Sequence, residues 1–557
     1  MAGSTNIGVL LPTLLLLFSL QISIITASGL DFPPNANHIF NAIHSSMRQW
    51  GSSLHHNGMS FFLAAVPAGT QFYHGNASPN PVNGTEWLAF EPEHALVFAR
   101  PFRHGTPPGK GPHKRSQVTL QPEHEVSGND QKKEQHQNQT GWLHTYMAAK
   151  DLRLLYIDGM SAAKTENGTL DSQDRILLRD ALAGKPGMLE KERADLVCRM
   201  TQDNYEGRLD GVIRMEAGFE IILCNFARDL NEVRVTQVKS DDKGDHPRPG
   251  KGKGKGKKGD PDGGMLWLKA IAARYNGIGG NRVILNYDNF VTAYTYGLDL
   301  FRSSGGTNNS LPRLKHLFAD ELGPIRNDLD RLIMDHDPSR SSFNWQTIAD
   351  MVVQRYAHEL RYLASGQLST LQELHREIEN SLGPFVDYSN RDAGLEADRC
   401  SLQFLPAGVP TDGLAGDAIR SVARSICSTM IAAWHETSYG TAVGYFQSLI
   451  SYLSWTTWKE CSGCADNEIC VVPIWPMGTV EDYEHPQCRD ASRPSGQGRR
   501  YWGGRGGPDG PEGPGEPRHQ NWLQKMKHCL QGMLRSAHDH SIPSNVGQKG
   551  DFGASFR

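Results

Sequence analysis

The stretch from Val66 to Gly75 reads Val-Pro-Ala-Gly-Thr-Gln-Phe-Tyr-His-Gly, and after a polar loop the stretch from Glu86 to Arg100 reads Glu-Trp-Leu-Ala-Phe-Glu-Pro-Glu-His-Ala-Leu-Val-Phe-Ala-Arg. These two segments decide how the first half of the chain folds. Pro67 and Gly69 set a turn, and Gln71 to His74 is a short aromatic-rich strand. Gly75 follows it, at a point where a ligand can approach the backbone closely. Trp87 to Phe90 is a second strand. Pro92 suits the first turn of a helix, Glu91 and Glu93 favour its N-terminus, and Ala95, Phe98 and Ala99 share one face.

Outward from this core, His38 to His55 carries apolar residues at helical spacing, and Phe61 to Val66 is an apolar strand. Leu152 to Ile157 is a buried strand ending in the turn signal Asp158-Gly159. Asp174 to Leu182 and Leu189 to Met200 read as helices, and Asp210 to Arg214 and Phe219 to Phe226 as strands around a glycine-containing turn. Strands and helices mix without strict alternation, which predicts an α+β domain over residues 36–238. Within it, residues 101–140 lose nearly all apolar side chains and read as a disordered insertion.

A Gly/Lys linker at 239–264 marks the boundary of this domain; it reads as a solvated spacer, with a polyanion-binding patch as the alternative. Residues 265–490 then predict a mainly α-helical, disulfide-bearing domain with a cysteine-rich end, although Arg282 to Tyr287 has strand character. Its stripes are Leu314, Leu317, Phe318, Leu322 and Ile325, with a kink at Gly323-Pro324; Trp345 to Leu363, capped by Asn344; Leu371 to Ile378; Ile419 to Trp434; and Val443 to Trp458. Residues 491–520 read as a disordered linker, and 521–557 as a short helix and tail.

The 557 residues carry a formal charge of −4, 38% apolar residues, 58 Gly and 31 Pro, a balance that points neither to nucleic acid nor to an anionic membrane. Residues 1–29 read as a secretory signal peptide cleaved near Ala27 to Gly29, with an uncleaved membrane anchor as the alternative. The expectation is a secreted protein, off the membrane after cleavage. Sequons at Asn76, Asn83, Asn138, Asn167 and Asn308 agree with that route. So do nine cysteines, for which Cys198 with Cys224 and Cys400 with Cys427 are plausible pairs. Cys461, Cys464, Cys470 and Cys488 read as a disulfide knot rather than a zinc site, because no second Cys-x-x-Cys follows the first; Cys529 is the candidate odd thiol. No metal is expected. His55-His56 reads as surface, and Trp434-His435-Glu436 as a capped helix end.

Gly-x-Ser-x-Gly, the P-loop and His-Glu-x-x-His are absent from the sequence. Four blocks in order do carry a likeness: Gly69-Thr-Gln-Phe-Tyr-His-Gly75; Trp87 through Ala99; Leu152 to Asp158; and Asp210 to Ile213 followed by Glu220 to Leu223. From about Phe61 to Val235, insertion removed, the chain resembles the ADP-ribosyltransferase superfamily. The resemblance implies NAD as substrate, with His74 on the nicotinamide-side ribose, Gly75 at the carboxamide and Phe98 stacked on the nicotinamide. It implies Glu220 as the acid that holds the ribose hydroxyl or orients the acceptor. Phe98 stands where that family often has Tyr, and Glu216 lies four residues before Glu220, so the acid stays open between them, with Glu220 preferred because it begins the apolar strand. The chemistry would be glycosidic cleavage, in which a carboxylate stabilises an oxocarbenium-like centre. The alternative is a non-enzymatic secreted interaction or structural glycoprotein whose helical domain binds a protein partner.

Overall fold

The computed structural model describes residues 33–99, 141–165, 167–238, 271, 281–302, 311–338, 342–408, 413–461, 463–472, 474 and 478–490. The expected leader, the insertion at 101–140, the linker at 239–264, Cys529 and everything beyond 490 lie outside these residues.

The apolar run that opens the core forms strand β1 (Asn57–Val66), buried along its whole length. Strands β2 (Gln71–Asn76), β3 (Glu86–Ala89), β4 (Trp142–Ala148), β5 (Leu152–Gly159), β6 (Gly211–Met215), β7 (Phe219–Leu223) and β8 (Leu230–Gln237) follow. With β9 (Ile284–Thr292) they make one sheet in the order β8-β4-β2-β3-β7-β6-β5-β1-β9. Only β5 and β6 pair in parallel; the other neighbours are antiparallel, so the sheet is mixed. The strand expected near Arg282 to Tyr287 is thus β9, and it completes the sheet at the edge of β1 instead of joining the helices. The segment before β1 is two helices, Ala36–Ser45 and Gln49–Leu54, not one, because Met47 takes a left-handed backbone at φ 54° between them.

The helical part follows β9. The expected stripe before Gly323 forms no helix: Pro324, which lacks a backbone donor, instead occupies the first turn of the helix Gly323–Asp335. Trp345–Ala364 begins at Asn344, whose side chain accepts from the Thr347 backbone N–H, and Leu371–Leu382 begins in a capping box of Thr370 and Glu373. Ala393–Leu402, which no periodic stripe announced, packs on Leu414–His435. Tyr439–Leu453 stops at Ser454, whose left-handed backbone (φ 49°) ends the helix earlier than Trp458. Helix Ala36–Ser45 from before the sheet lies against Leu414–His435 and Trp345–Ala364, so one apolar core runs from the sheet into the helices.

Among the described residues four disulfides hold this arrangement: Cys198–Cys224, Cys400–Cys427, Cys461–Cys470 and Cys464–Cys488. The first two are the pairs expected, and the last two form the knot around the short ribbon β10 (Glu468–Cys470) and β11 (Cys488–Asp490). Ile469 of that ribbon and Val471, Val472 and Ile474 after it cluster with Leu54 and with Ala217 in the β6–β7 turn. His56 is not a surface residue: it is fully buried, and desolvation pushes its pKa down to about 3. Among the described residues no helix is long and apolar enough to cross a membrane.

Candidate functional site

Antiparallel register builds the site. Tyr73 pairs with Ala89, Ala89 with Glu220, and Glu220 with Arg214, so these four stand in one row across β2, β3, β7 and β6 and share a face. On that face Arg214 Nε donates to Glu220 Oε1 at 2.9 Å, its Nη1 to Gln173 Oε1 at 3.3 Å, and its Nη2 pairs with Glu190. Lys164 Nζ donates to Glu216 Oε2 at 2.6 Å and lies 3.2 Å from Glu190. Three carboxylates and two cations therefore form one continuous network. It runs from Arg214 and Glu220, each 1% accessible, to Glu216 at 8% and Glu190 at 11%.

Each member is set by a local feature. Glu216 sits on the tight β6–β7 turn, where its N–H bonds the Gly218 carbonyl. Glu190 opens the helix Glu190–Asp203, and Leu189 before it has a left-handed backbone (φ 53°). Gln173 belongs to the π-helix Ser172–Leu177, a rare turn that arises often at functional sites. The Cys198–Cys224 disulfide ties the Glu190 helix to the end of β7.

Burial and charge then drive the two acids apart. Desolvation raises the pKa of Glu216 against the opposing pull of Lys164. Glu220 is desolvated too, but Arg214, Lys164 and His94 together hold it below the ordinary carboxylate value. Desolvation lowers Lys164, with Glu216 opposing. His94, on the short helix Pro92–Leu96, is 2% exposed, and burial lowers its pKa, with Glu220 and a backbone hydrogen bond to Phe219 pulling the other way. Its Nδ1 has no hydrogen-bond partner among the described residues. Trp87 and Phe98 meet edge to face at 4.6 Å, and the His94 ring lies 6.0 Å and 6.1 Å from them, forming an aromatic wall beside the ionic network.

The residues expected from the sequence divide accordingly. Glu220 lies inside the network, and Phe98 stands in the adjoining wall. Gly75 touches the wall from behind: a Cβ there would come within 2.1 Å of the Ala95 carbonyl oxygen and 2.8 Å of the Phe98 carbonyl carbon. The close approach that needs this glycine is made by the chain's own helix. His74 is not with Glu220. Alternation along β2 turns it away from the face of Tyr73, and it pairs across the sheet with His144. Its Nδ1 bonds the Trp87 carbonyl at 2.8 Å, its ring meets Trp87, His144 and Phe226, and burial lowers its pKa to about 4. The network also contains residues the sequence reading did not single out: Arg214, His94, Lys164, Glu190 and Gln173. Of these, Arg214 had a local signal, since a hairpin turning at Ala217-Gly218 places it directly opposite Glu220. Lys164 and Glu190 come from loops and helices whose approach to the sheet leaves no periodic trace.

Among the described residues, the acidic and sulfur groups close enough to hold a metal are Cys461, Cys464 and Cys488, and these sulfurs are joined in disulfides.

Residues 28–251 match a family described as the YPL277C N-terminal domain. Two proteins of Saccharomyces cerevisiae, the uncharacterized proteins YPL277C and YOR389W, are each 33% identical over 230 residues, 37% of this chain. That shared region is 43% of the first and 33% of the second, so the likeness spans less than half of either relative. No solved structure matches the chain. The matched region holds the whole ionic network and every strand of the nine-stranded sheet except β9.

Proposed function

We propose that the sheet domain is an ADP-ribosyltransferase-like or NAD-glycohydrolase-like unit of a secreted glycoprotein, binding NAD and breaking its nicotinamide–ribose bond at the Glu216–Glu220 network. The observation that carries this reading is the pair of buried carboxylates with opposite pKa shifts in one network, the pattern that separates an acid–base group from an electrostatic one. Glu220, kept ionised, stabilises the positive charge that develops at the ribose carbon. Nicotinamide leaves with the bonding electron pair and needs no proton. Glu216 accepts the proton of the water or acceptor hydroxyl that attacks, and Lys164 holds Glu216 in place. Trp87 and Phe98 supply a flat apolar wall for the leaving ring.

The test is nicotinamide release and calorimetric titration of NAD with the purified chain. Glu220→Gln is expected to lower release about 100-fold or more, the range seen when one transition-state electrostatic partner is lost, with binding retained. Glu216→Gln is expected to shift the acidic limb of the pH–rate profile. No binding and no release at millimolar NAD would overturn the proposal.

A second reading rests on a different observation. Tyr388, Leu395 and Leu402 stand 59%, 49% and 47% exposed on and beside one helix, and Arg391 lies over the Trp434 ring at 4.6 Å. These residues support an interaction glycoprotein that uses its helical part to bind a protein.

A further inference from the structure

Three sequons fall on described residues, and their surroundings are unlike one another. Asn76 ends β2 paired with Trp142, is 7% exposed, and turns its Oδ1 back to accept the Ala77 N–H at 2.7 Å and the Ser78 N–H at 3.4 Å. The Ser78 carbonyl of the same sequon accepts from buried His144 Nε2 at 2.8 Å. Asn167 is half-buried between two segments: Asn57 Nδ2 donates to its carbonyl at 2.7 Å and to the Pro312 carbonyl at 2.9 Å. The next residue, Gly168, lies against the Arg313 side chain, and Thr169 of that sequon is 2% exposed. Asn83 lies in the exposed loop between β2 and β3. Its carbonyl accepts from the Ala227 N–H, and its side-chain amide makes no hydrogen bond among the described residues.

We infer that Asn83, and neither Asn76 nor Asn167, is the N-glycosylated position among these three; the assignment rests on the secretory reading of the chain. A glycan is attached through the asparagine side-chain nitrogen and must leave into solvent. At Asn83 that exit is open, and the sugar disturbs no contact. A sugar on Asn76 would have to be buried or would break the β2–β4 end and its hydrogen-bonded turn. A sugar on Asn167 would crowd a half-buried stretch whose backbone is pinned by Asn57 and whose next residue, Gly168, lies against Arg313. Chains modified at either position fold poorly, so the secreted population carries Asn76 and Asn167 bare.

The full chain, secreted from a eukaryotic host, is deglycosylated enzymatically in heavy-oxygen water and mapped by peptide mass spectrometry, and Asn76→Gln, Asn83→Gln and Asn167→Gln variants are compared by gel mobility. The expected result is label at Asn83 and none at Asn76 or Asn167, with only Asn83→Gln migrating faster by one glycan. Label on Asn76 or Asn167 in the secreted chain overturns the inference, as does a secreted, disulfide-bonded chain with Asn83 bare. A chain retained in the cell with free thiols and no glycan overturns the secretory reading and this assignment together, and the thiol titration distinguishes that outcome from the previous one.

Discussion

The two faces of the sheet where β2, β3, β7 and β6 meet both bury titratable side chains, and they do so in different ways. The face of Glu220 and Arg214 keeps its charges and pairs them in a network. The face of His74 and His144 buries its imidazoles among Tyr146 and Phe226, and His74 stays neutral with its Nδ1 on the Trp87 carbonyl. Burial penalises charge on both faces. On one face counter-ions offset that cost, and on the other His74 avoids it by giving up its proton. Tyr73 and His74 are adjacent in the sequence, and the pleat alone sends them to these different environments.

The largest break in the comparison comes from removing the central cation. Arg214→Ala leaves Glu190 and Glu220 facing each other without it, and is expected to cost about 3–5 kcal/mol in chemical denaturation. Gly75→Ala tests whether the short helix must touch β2 by its backbone: with the Ala95 oxygen in the way, a loss of about 3 kcal/mol is expected, together with displacement of Phe98 and His94 visible in aromatic circular dichroism. Cys224→Ser releases the Glu190 helix from β7 by opening a disulfide of sequence separation 26. A cost of about 2–3 kcal/mol is expected, and urea midpoints with and without reductant, compared with the intact chain, measure it.

The smallest effect separates the faces by pH. His74 has a folded pKa near 4 against an ordinary 6.5. The unfolded chain therefore takes up a proton first, and the stabilisation His74 supplies is complete above pH 6.5 and lost as the pH falls toward 4. Glu220, held below its ordinary 4.5, loses its contribution only as the pH falls below that value. Glu216 has the reverse sign: its pKa is raised, so its contribution is full below 4.5 and lost as the pH rises. His74→Gln is expected to cost about 1 kcal/mol at pH 7 through the bond to the Trp87 carbonyl. It should also flatten the stability profile by up to about 1.4 kcal/mol per pH unit between 6.5 and 4. An unchanged slope in that window would show that His74 already binds a proton in the folded state.

Much of the scaffold could be read from local chemistry. Asn344 and the Thr370–Glu373 pair mark helix starts because their side chains satisfy backbone donors within three residues. β1, β5 and β7 show as apolar runs because both sides of each are covered. Readings failed where a distant partner set the outcome. The residues before Gly323 have a helical stripe yet stay in turns, held where Arg175 donates to the carbonyls of Leu314 and Leu317. β8 reads as polar because four of its residues in a row are exposed, and only pairing with β4 makes it a strand.

The sequence by itself determined the apolar strands β1, β5, β6 and β7, the short β2 and β3 and most helices of this protein, because each is written in spacing a few residues long, and it offered Cys198 with Cys224 and Cys400 with Cys427 as pairs and Glu220 as a candidate acid. Tertiary structure alone decided that His74 turns from Glu220, that β9 closes the sheet from beyond the linker, and that Lys164, Glu190 and His94 join Arg214 in one buried network. Those outcomes depend on which face a strand presents and which loop folds over it, and burial rewards them only once separated segments meet.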